Sequence, residues 1–292
     1  MPELPEVETV RLGLAPVLVG NRFARVEQRR KDLRFPLPKN FAARLAGRTV
    51  EALERRAKYL LARLDNGEVL VMHLGMTGRF SIDRANGYAV KSGVFVHEQP
   101  PTHEHIVFHM GDGTSVRYAD ARRFGSMDLI PADKLQQHAL FKRLGLEPLS
   151  PDFTPEWLAS RLKGKATPIK AALLDQKLIA GLGNIYVCEA LHRAKISPLR
   201  LAGTIPTKGG RSTVKTDALV KSVKSVLGEA VEAGGSSLRD YRGADGELGR
   251  FQHRFKVYGR EGKPCPRKGC GGTVRRIVQG GRSTFYCPTC QK

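Results

Sequence analysis

Four cysteines within the last 28 residues carry the plainest chemistry in this 292-residue chain. Cys265 and Cys270 are separated by four residues, and sixteen further residues lead to the pair Cys287 and Cys290. Two thiolate pairs flanking a short hairpin segment can meet as the corners of a tetrahedron, the geometry zinc prefers. With all four positions filled by Cys, no coordination site stays open, so one structural zinc ion is expected and metal catalysis is not. The same chemistry points to a reducing compartment rather than a disulfide framework. Cys188, alone in a helical pattern, reads as a small buried hydrophobe.

Two further constellations are less self-explanatory. Gly181-Leu182-Gly183-Asn184 opens an apolar helical stretch, so backbone N–H groups and Asn184 could meet a phosphate at a helix N-terminus. At the start of the chain, removal of Met1 would leave Pro2 as a secondary amine with a pKa of about 8. Such an amine can attack an electrophilic carbon to form an iminium, and the adjacent Glu3 supplies a carboxyl group for proton transfer. The alternating His103, His105 and His109 lack helical metal-site spacing and read as strand residues.

Composition narrows the partner. Forty-nine Lys and Arg stand against 28 Asp and Glu, a net charge of +21, the electrostatic footprint of a polyanion binder. From Leu238 to Lys292 the count is thirteen basic against four acidic residues, so the excess concentrates around the cysteines and Arg282. No apolar run approaches the length of a membrane span, and the acidic, proline-punctuated start is unlike a targeting peptide. A nucleic-acid binder that stays in the compartment where it is made is the expectation.

The elements that must position these groups follow from periodicity. A helix is expected from Glu3 to about Val19, then strands from Phe23 to Ile130. Two hairpins stand out, one around Asp65-Asn66-Gly67 and one around Gly111-Asp112-Gly113. Beyond Pro131, helices are expected at Ala132–Leu144, Pro155–Leu162, Ile169–Asp175, Asn184–Ala194 and Thr213–Ala233. Gly234–Gly249 reads as a mobile loop, and Phe251–Lys292 as β-hairpins around the cysteines. The class is α+β. The division is 1–131, a helix-led β-sandwich; 132–250, a helical DNA-binding domain; and 251–292, a zinc finger.

These residues resemble the formamidopyrimidine-DNA glycosylase family along essentially the whole chain. The opening Pro2-Glu3-Leu4-Pro5-Glu6-Val7-Glu8-Thr9 is the most specific motif. His73-Leu74-Gly75-Met76-Thr77-Gly78, Asp120-Ala121-Arg122-Arg123-Phe124-Gly125, Gly183-Asn184-Ile185-Tyr186 and Arg282-Ser283-Thr284-Phe285-Tyr286-Cys287 follow in the family's order.

The resemblance implies an N-terminal helix with a two-layered β-sandwich, then a helix–two-turn–helix domain ending in a zinc finger. It implies excision of oxidised purines, chiefly 8-oxoguanine and formamidopyrimidines, from damaged double-stranded DNA by a monomeric, cytoplasmic protein associated with the nucleoid through DNA binding. Pro2 would be the nucleophile at C1′, with β- and δ-eliminations through a Schiff base. Glu3 would be the general acid at the sugar ring oxygen, and Glu6 would position the extruded nucleotide. Lys58 would lie near the catalytic phosphates and Lys170 would contribute to damaged-base recognition. Met76, Arg122 and Phe124 would fill the void left by the extruded base, with His73, Asn184 and Arg282 also on the DNA.

Two departures bear on these expectations. The first cysteine pair has four intervening residues where the family more often has two, and the lesion-capping loop at 236–250 is not legible for base specificity. An endonuclease VIII-like enzyme for oxidised pyrimidines is the near alternative, disfavoured by Leu4 and Val7-Glu8-Thr9. A non-catalytic zinc-containing DNA-binding protein is the distant one, and it predicts loss of Pro2, Glu3 or Lys58.

Overall fold

A computed structural model describes residues 2–83, 103–236 and 249–292. They form two compact units, one from residues up to 142 together with 231–252, the other from 143–230 together with 253–292.

The first unit opens with helix α1 (Leu4–Leu18), whose Val7, Val10, Leu14 and Val17 recur at helical spacing and are buried. Eight strands follow: β1 (Phe23–Gln28), β2 (Val50–Arg56), β3 (Tyr59–Leu64), β4 (Glu68–His73), β5 (Arg79–Asp83), β6 (Glu104–Met110), β7 (Ser115–Ala119) and β8 (Ser126–Pro131). A one-turn helix, α2 (Phe41–Leu45), lies between β1 and β2. The strands make two antiparallel four-stranded sheets, ordered β1-β6-β7-β5 and β2-β3-β4-β8. Leu60, Ala62, Leu70 and Met72 from one sheet share a core with Phe80, Ile106, Phe108 and Val116 from the other, and with α1. Alternate residues of these strands enter this core, while Leu61, Val69, Val71 and Val107 on the opposite faces are buried as well.

The second unit holds α3 (Pro155–Leu162), α4 (Ile169–Leu174), α5 (Asn184–Arg193) and most of α6 (Val214–Glu232), then the hairpin β9 (Arg275–Gln279) and β10 (Arg282–Tyr286). α3 starts where its sequence dictates. Thr154 caps it through the N–H of Trp157 at 3.1 Å, and Pro155 takes the first helical position, where its missing N–H costs nothing.

Two expectations need correcting. Residues 132–144 are not one helix: a single 3-10 turn spans Ala132–Lys134, and further turns carry the chain to Gly145. Leu135 and Phe141 are the only buried residues of this segment, too little apolar burial to hold a three-turn helix against its entropy cost. Turns deliver Phe141 edge-on to Tyr59, with ring centroids 5.2 Å apart. The last segment holds one hairpin, β9–β10, rather than several. Pro264 and Thr273 make only an isolated bridge, because the cysteine turns leave no room for longer strands.

Candidate functional site

At the first unit's N-terminus, Pro2 and Glu3 lie buried just ahead of α1. Glu3 is the helix N-cap, with extended backbone. Its N–H donates to Glu6 Oε2 at 2.9 Å. Glu6 Oε1 accepts from the Ser236 N–H at 2.8 Å and the Ser236 hydroxyl at 3.0 Å. One carboxylate thus fixes both the Pro2-Glu3 backbone and a segment 230 residues away. Gly235 permits this approach: its φ is +78°, and a Cβ there would lie 3.1 Å from Glu6 Oε1. The expected capping loop lies largely outside the described residues, but its roots are held. Ser236 bridges Arg250, and the Phe251 N–H donates to the Gly235 carbonyl at 3.0 Å.

Lys58 is buried in the turn between β2 and β3, beside Ala57 at φ +53°. A left-handed Ala costs about 1–2 kcal/mol, so the surrounding structure overrides a backbone preference next to this lysine. His73 ends β4, stacked on Tyr59 at 4.8 Å, and its Nδ1 accepts from the Gly75 N–H at 3.1 Å. Burial, then the charges of Lys58 and Arg34, push its pKa down to about 4. His73 is therefore neutral at neutral pH, with its hydrogen on Nε2.

The loops after β4 and β7 cross close to one another. A Cβ on Gly75 would lie 2.3 Å from the Phe124 carbonyl carbon, so the crossing requires glycine. Asp120, fully buried, ties the crossing together. Its carboxylate accepts from the Thr77 hydroxyl, from the Gly125 N–H at 2.8 Å and from the Tyr118 phenol at 3.3 Å. On this braced base Met76 and Phe124 stand about 40% exposed, and the Arg122 guanidinium lies 4.6 Å from the Phe124 ring centroid. Large apolar groups presented on a rigid loop are what a base-stack wedge requires. Composition does not reveal Asp120 as the brace; its sole signal is a place at the head of the Asp120–Gly125 motif.

In the second unit the turn before α5 is shaped by Gly181 at φ +85° and braced by Gln176, whose side chain accepts from the Gly181 N–H and donates to the Leu182 carbonyl. Asn184 opens α5, and its Nδ2 donates to the Ser283 carbonyl of β10 at 2.9 Å. Lys170, with no exposed surface, reaches the same strand through the Thr284 hydroxyl at 2.7 Å. The structure thus brings Asn184 and Lys170 together at the finger, with Arg282 exposed at the start of β10. Further along α5, the buried Glu189 accepts the backbone N–H groups of Lys256, Val257 and Tyr258 at 2.9–3.0 Å. Burial raises its pKa against those three bonds. Sequence reasoning missed Glu189 and Gln176, since their partners are set by the tertiary fold. Cys188 packs against Val257 and Val274, as a buried hydrophobe should.

The sulfurs of Cys265, Cys270, Cys287 and Cys290 lie within 4.8 Å of one another. The Cys265–Cys290 and Cys270–Cys287 separations are 3.9 and 3.6 Å. Zn–S bonds of tetrahedral geometry give S–S edges of about 3.8 Å, so the donor set fits one zinc ion. Gly272 leaves room for it, since a Cβ there would lie 2.8 Å from Cys287 Sγ. When bound, the ion cross-links the two cysteine turns. Among the described residues no other group of His, Cys, Asp or Glu could hold a metal. His105 instead donates to the Asp120 carbonyl at 2.8 Å, and His109 lies between Glu27 and Ser115.

A helix-led β-sandwich followed by a helical unit with a four-cysteine finger defines a class of zinc-finger protein. Family profiles sharpen it. Residues 1–127 match the formamidopyrimidine-DNA glycosylase N-terminal domain, 144–242 that glycosylase's H2TH domain, and 262–292 the zinc finger found in FPG and IleRS. The formamidopyrimidine-DNA glycosylase of Beijerinckia indica is 60% identical, with all of both chains covered. The crystal structure of the MutM (Fpg) protein of Thermus thermophilus has a TM-score of 0.83 and 41% identity, over 99% of this chain and 98% of that one. A Lactococcus lactis Fpg mutant in complex with DNA containing Fapy-dG has a TM-score of 0.83 and 33% identity, with both chains fully covered. The chain belongs to the formamidopyrimidine-DNA glycosylase family.

Proposed function

We propose that this protein is a base-excision repair enzyme that removes oxidised purines from duplex DNA and then nicks the strand as a lyase. Pro2, freed of Met1, attacks C1′ of the damaged nucleotide. The bond to the base breaks, Glu3 protonates the sugar ring oxygen as the ring opens, and an iminium links Pro2 to the sugar. Loss of the 3′ and then the 5′ phosphate by β- and δ-elimination releases the nicked strand. Lys58 steadies the phosphates nearby. Glu6 serves the extruded nucleotide by fixing the Pro2-Glu3 backbone and the loop root at Ser236.

Extrusion leaves a gap in the stack that costs a few kcal/mol. Met76 and Phe124 refill it and Arg122 meets the orphaned base. His73, Asn184 and Arg282 hold the DNA backbone, with Lys170 acting through the strand it anchors. The residue division 1–131, 132–250 and 251–292 is the functional one in this reading: chemistry, helical DNA contact with the capping loop, and finger. The net charge of +21 favours a monomer held on DNA in the cytoplasm. No helix among the described residues is long and apolar enough to cross a membrane.

The observation that carries this reading is the Pro2-Glu3 pair pinned to Glu6 at the head of α1. Borohydride added to the protein and DNA containing 8-oxoguanine should trap a covalent complex through Pro2. No trapped species from a chain verified to begin at Pro2 would overturn it. Faster trapping with thymine glycol than with 8-oxoguanine would favour the oxidised-pyrimidine reading instead.

A further inference from the structure

The C-terminal end of α5 lies against the zinc cysteines. His192, 4% exposed, places Nε2 3.4 Å from Cys265 Sγ. A zinc-bound Cys265 is a thiolate that can only accept, so this nitrogen must carry the imidazole hydrogen. From the four-residue turn between Cys265 and Cys270, Arg267 reaches back the other way. Its Nη2 donates to the His192 carbonyl at 2.6 Å and reaches the Arg193 carbonyl at 3.4 Å, the end of a helix where cations are favoured. A donor from outside the ligand set therefore faces the Cys265 thiolate, and Arg267, from the turn between two ligands, caps the helix that carries that donor.

A zinc ion with four thiolates has a net charge of −2, which is unfavourable to bury without compensating donors. We propose that His192 and Arg267 are positioning residues of the zinc centre, His192 by donating to the Cys265 thiolate and Arg267 by clamping the finger to the end of α5, and that together they slow loss of the metal. Neither is a ligand, and the proposal is independent of the excision chemistry.

The test uses the full zinc-loaded chain and the chromogenic chelator 4-(2-pyridylazo)resorcinol in excess, with the rate of zinc transfer as readout. His192→Ala should release zinc about tenfold faster or more. His192→Gln, which keeps an N–H donor of similar reach, should recover most of the difference. In the cobalt-substituted protein, His192→Ala should move the sulfur-to-cobalt charge-transfer band to lower energy and leave the tetrahedral d–d bands in place. Unchanged release overturns the proposal. So does faster release with an unmoved band or without rescue by Gln, since His192 would then act by packing alone. Should His192→Ala fail to fold, Arg267→Ala at its partly exposed turn decides: severalfold faster release supports the clamp, and wild-type release overturns it.

Discussion

The crossing of the β4 and β7 loops and the junction of α5 with the finger use buried polar groups to opposite ends. At the crossing, Asp120 is wholly buried so that Met76, Arg122 and Phe124 can stand in solvent. At the junction, Lys170, Glu189 and His192 are themselves the buried groups, and they join segments about 70 to 115 residues apart in the chain. A sandwich core of two sheets supports the first arrangement. Where the second meets the finger, the described residues form a small apolar cluster around Cys188, Val257 and Val274, and buried hydrogen bonds and a zinc site add to it. A small element with little core needs such a cross-link, whereas a sandwich does not.

Removing the metal should set the two regions furthest apart. Structural zinc contributes on the order of 10 kcal/mol to small cysteine domains. Stripping it should abolish hydrogen-exchange protection across β9 and β10 and leave β3 and β4 protected. Equal loss in both regions would mean that the sandwich is not self-supporting. Next in size, Asp120→Ala removes the acceptor for three donors at once and should cost about 4 kcal/mol, read as a lower urea midpoint of the first unit. Asp120→Asn keeps one acceptor oxygen and should cost less. A small effect for Asp120→Ala would show that Gly75 alone holds the loops at their crossing.

Protons sharpen the contrast at β4. His73 has a folded pKa of about 4, against about 6.5 when unfolded. Between those values the unfolded chain binds the extra proton, so stability is full above about pH 6.5 and falls as pH drops towards 4. The loss reaches at most about 3 kcal/mol, because partial exposure relaxes the burial. His73→Asn keeps an acceptor for the Gly75 N–H and should flatten that part of the unfolding free energy against pH. A slope identical to wild type would place the titration elsewhere.

Legibility in the sequence followed the range of the interactions. α3 and the start of α5 were readable because Thr154-Pro155 and Gly183-Asn184 act within a few residues of the helix they begin. The four cysteines were readable because metal chemistry fixes their spacing. Residues 132–144 misled because their composition favours a helix while only Leu135 and Phe141 find a core to bury into. The Glu6 bond to Ser236, the Glu189 bonds to residues 256–258 and the Asp120 brace join distant segments, and no local pattern announces them. The resemblance placed Glu6 and Lys170 on the lesion. The structure adds that Glu6 holds a loop root and that Lys170 is fully buried against β10.

The smallest expected change in stability belongs to the residues that the crossing presents. Met76 and Phe124 expose about two-fifths of their surface, so truncation removes less burial than at a core position. Met76→Ala and Phe124→Ala should each lower stability by about 1 kcal/mol or less. If these side chains refill the stack, each truncation should slow excision of 8-oxoguanine about tenfold, equivalent to 1.4 kcal/mol of transition-state stabilisation. The double variant should lose more than either single one, because two wedges enter one gap. On DNA that already lacks the base, the loss should be smaller, since less stacking has to be broken. A fall in stability that matched the fall in rate would make Phe124 and Met76 part of the core, and the contrast between presented and buried side chains would fail at its exposed end.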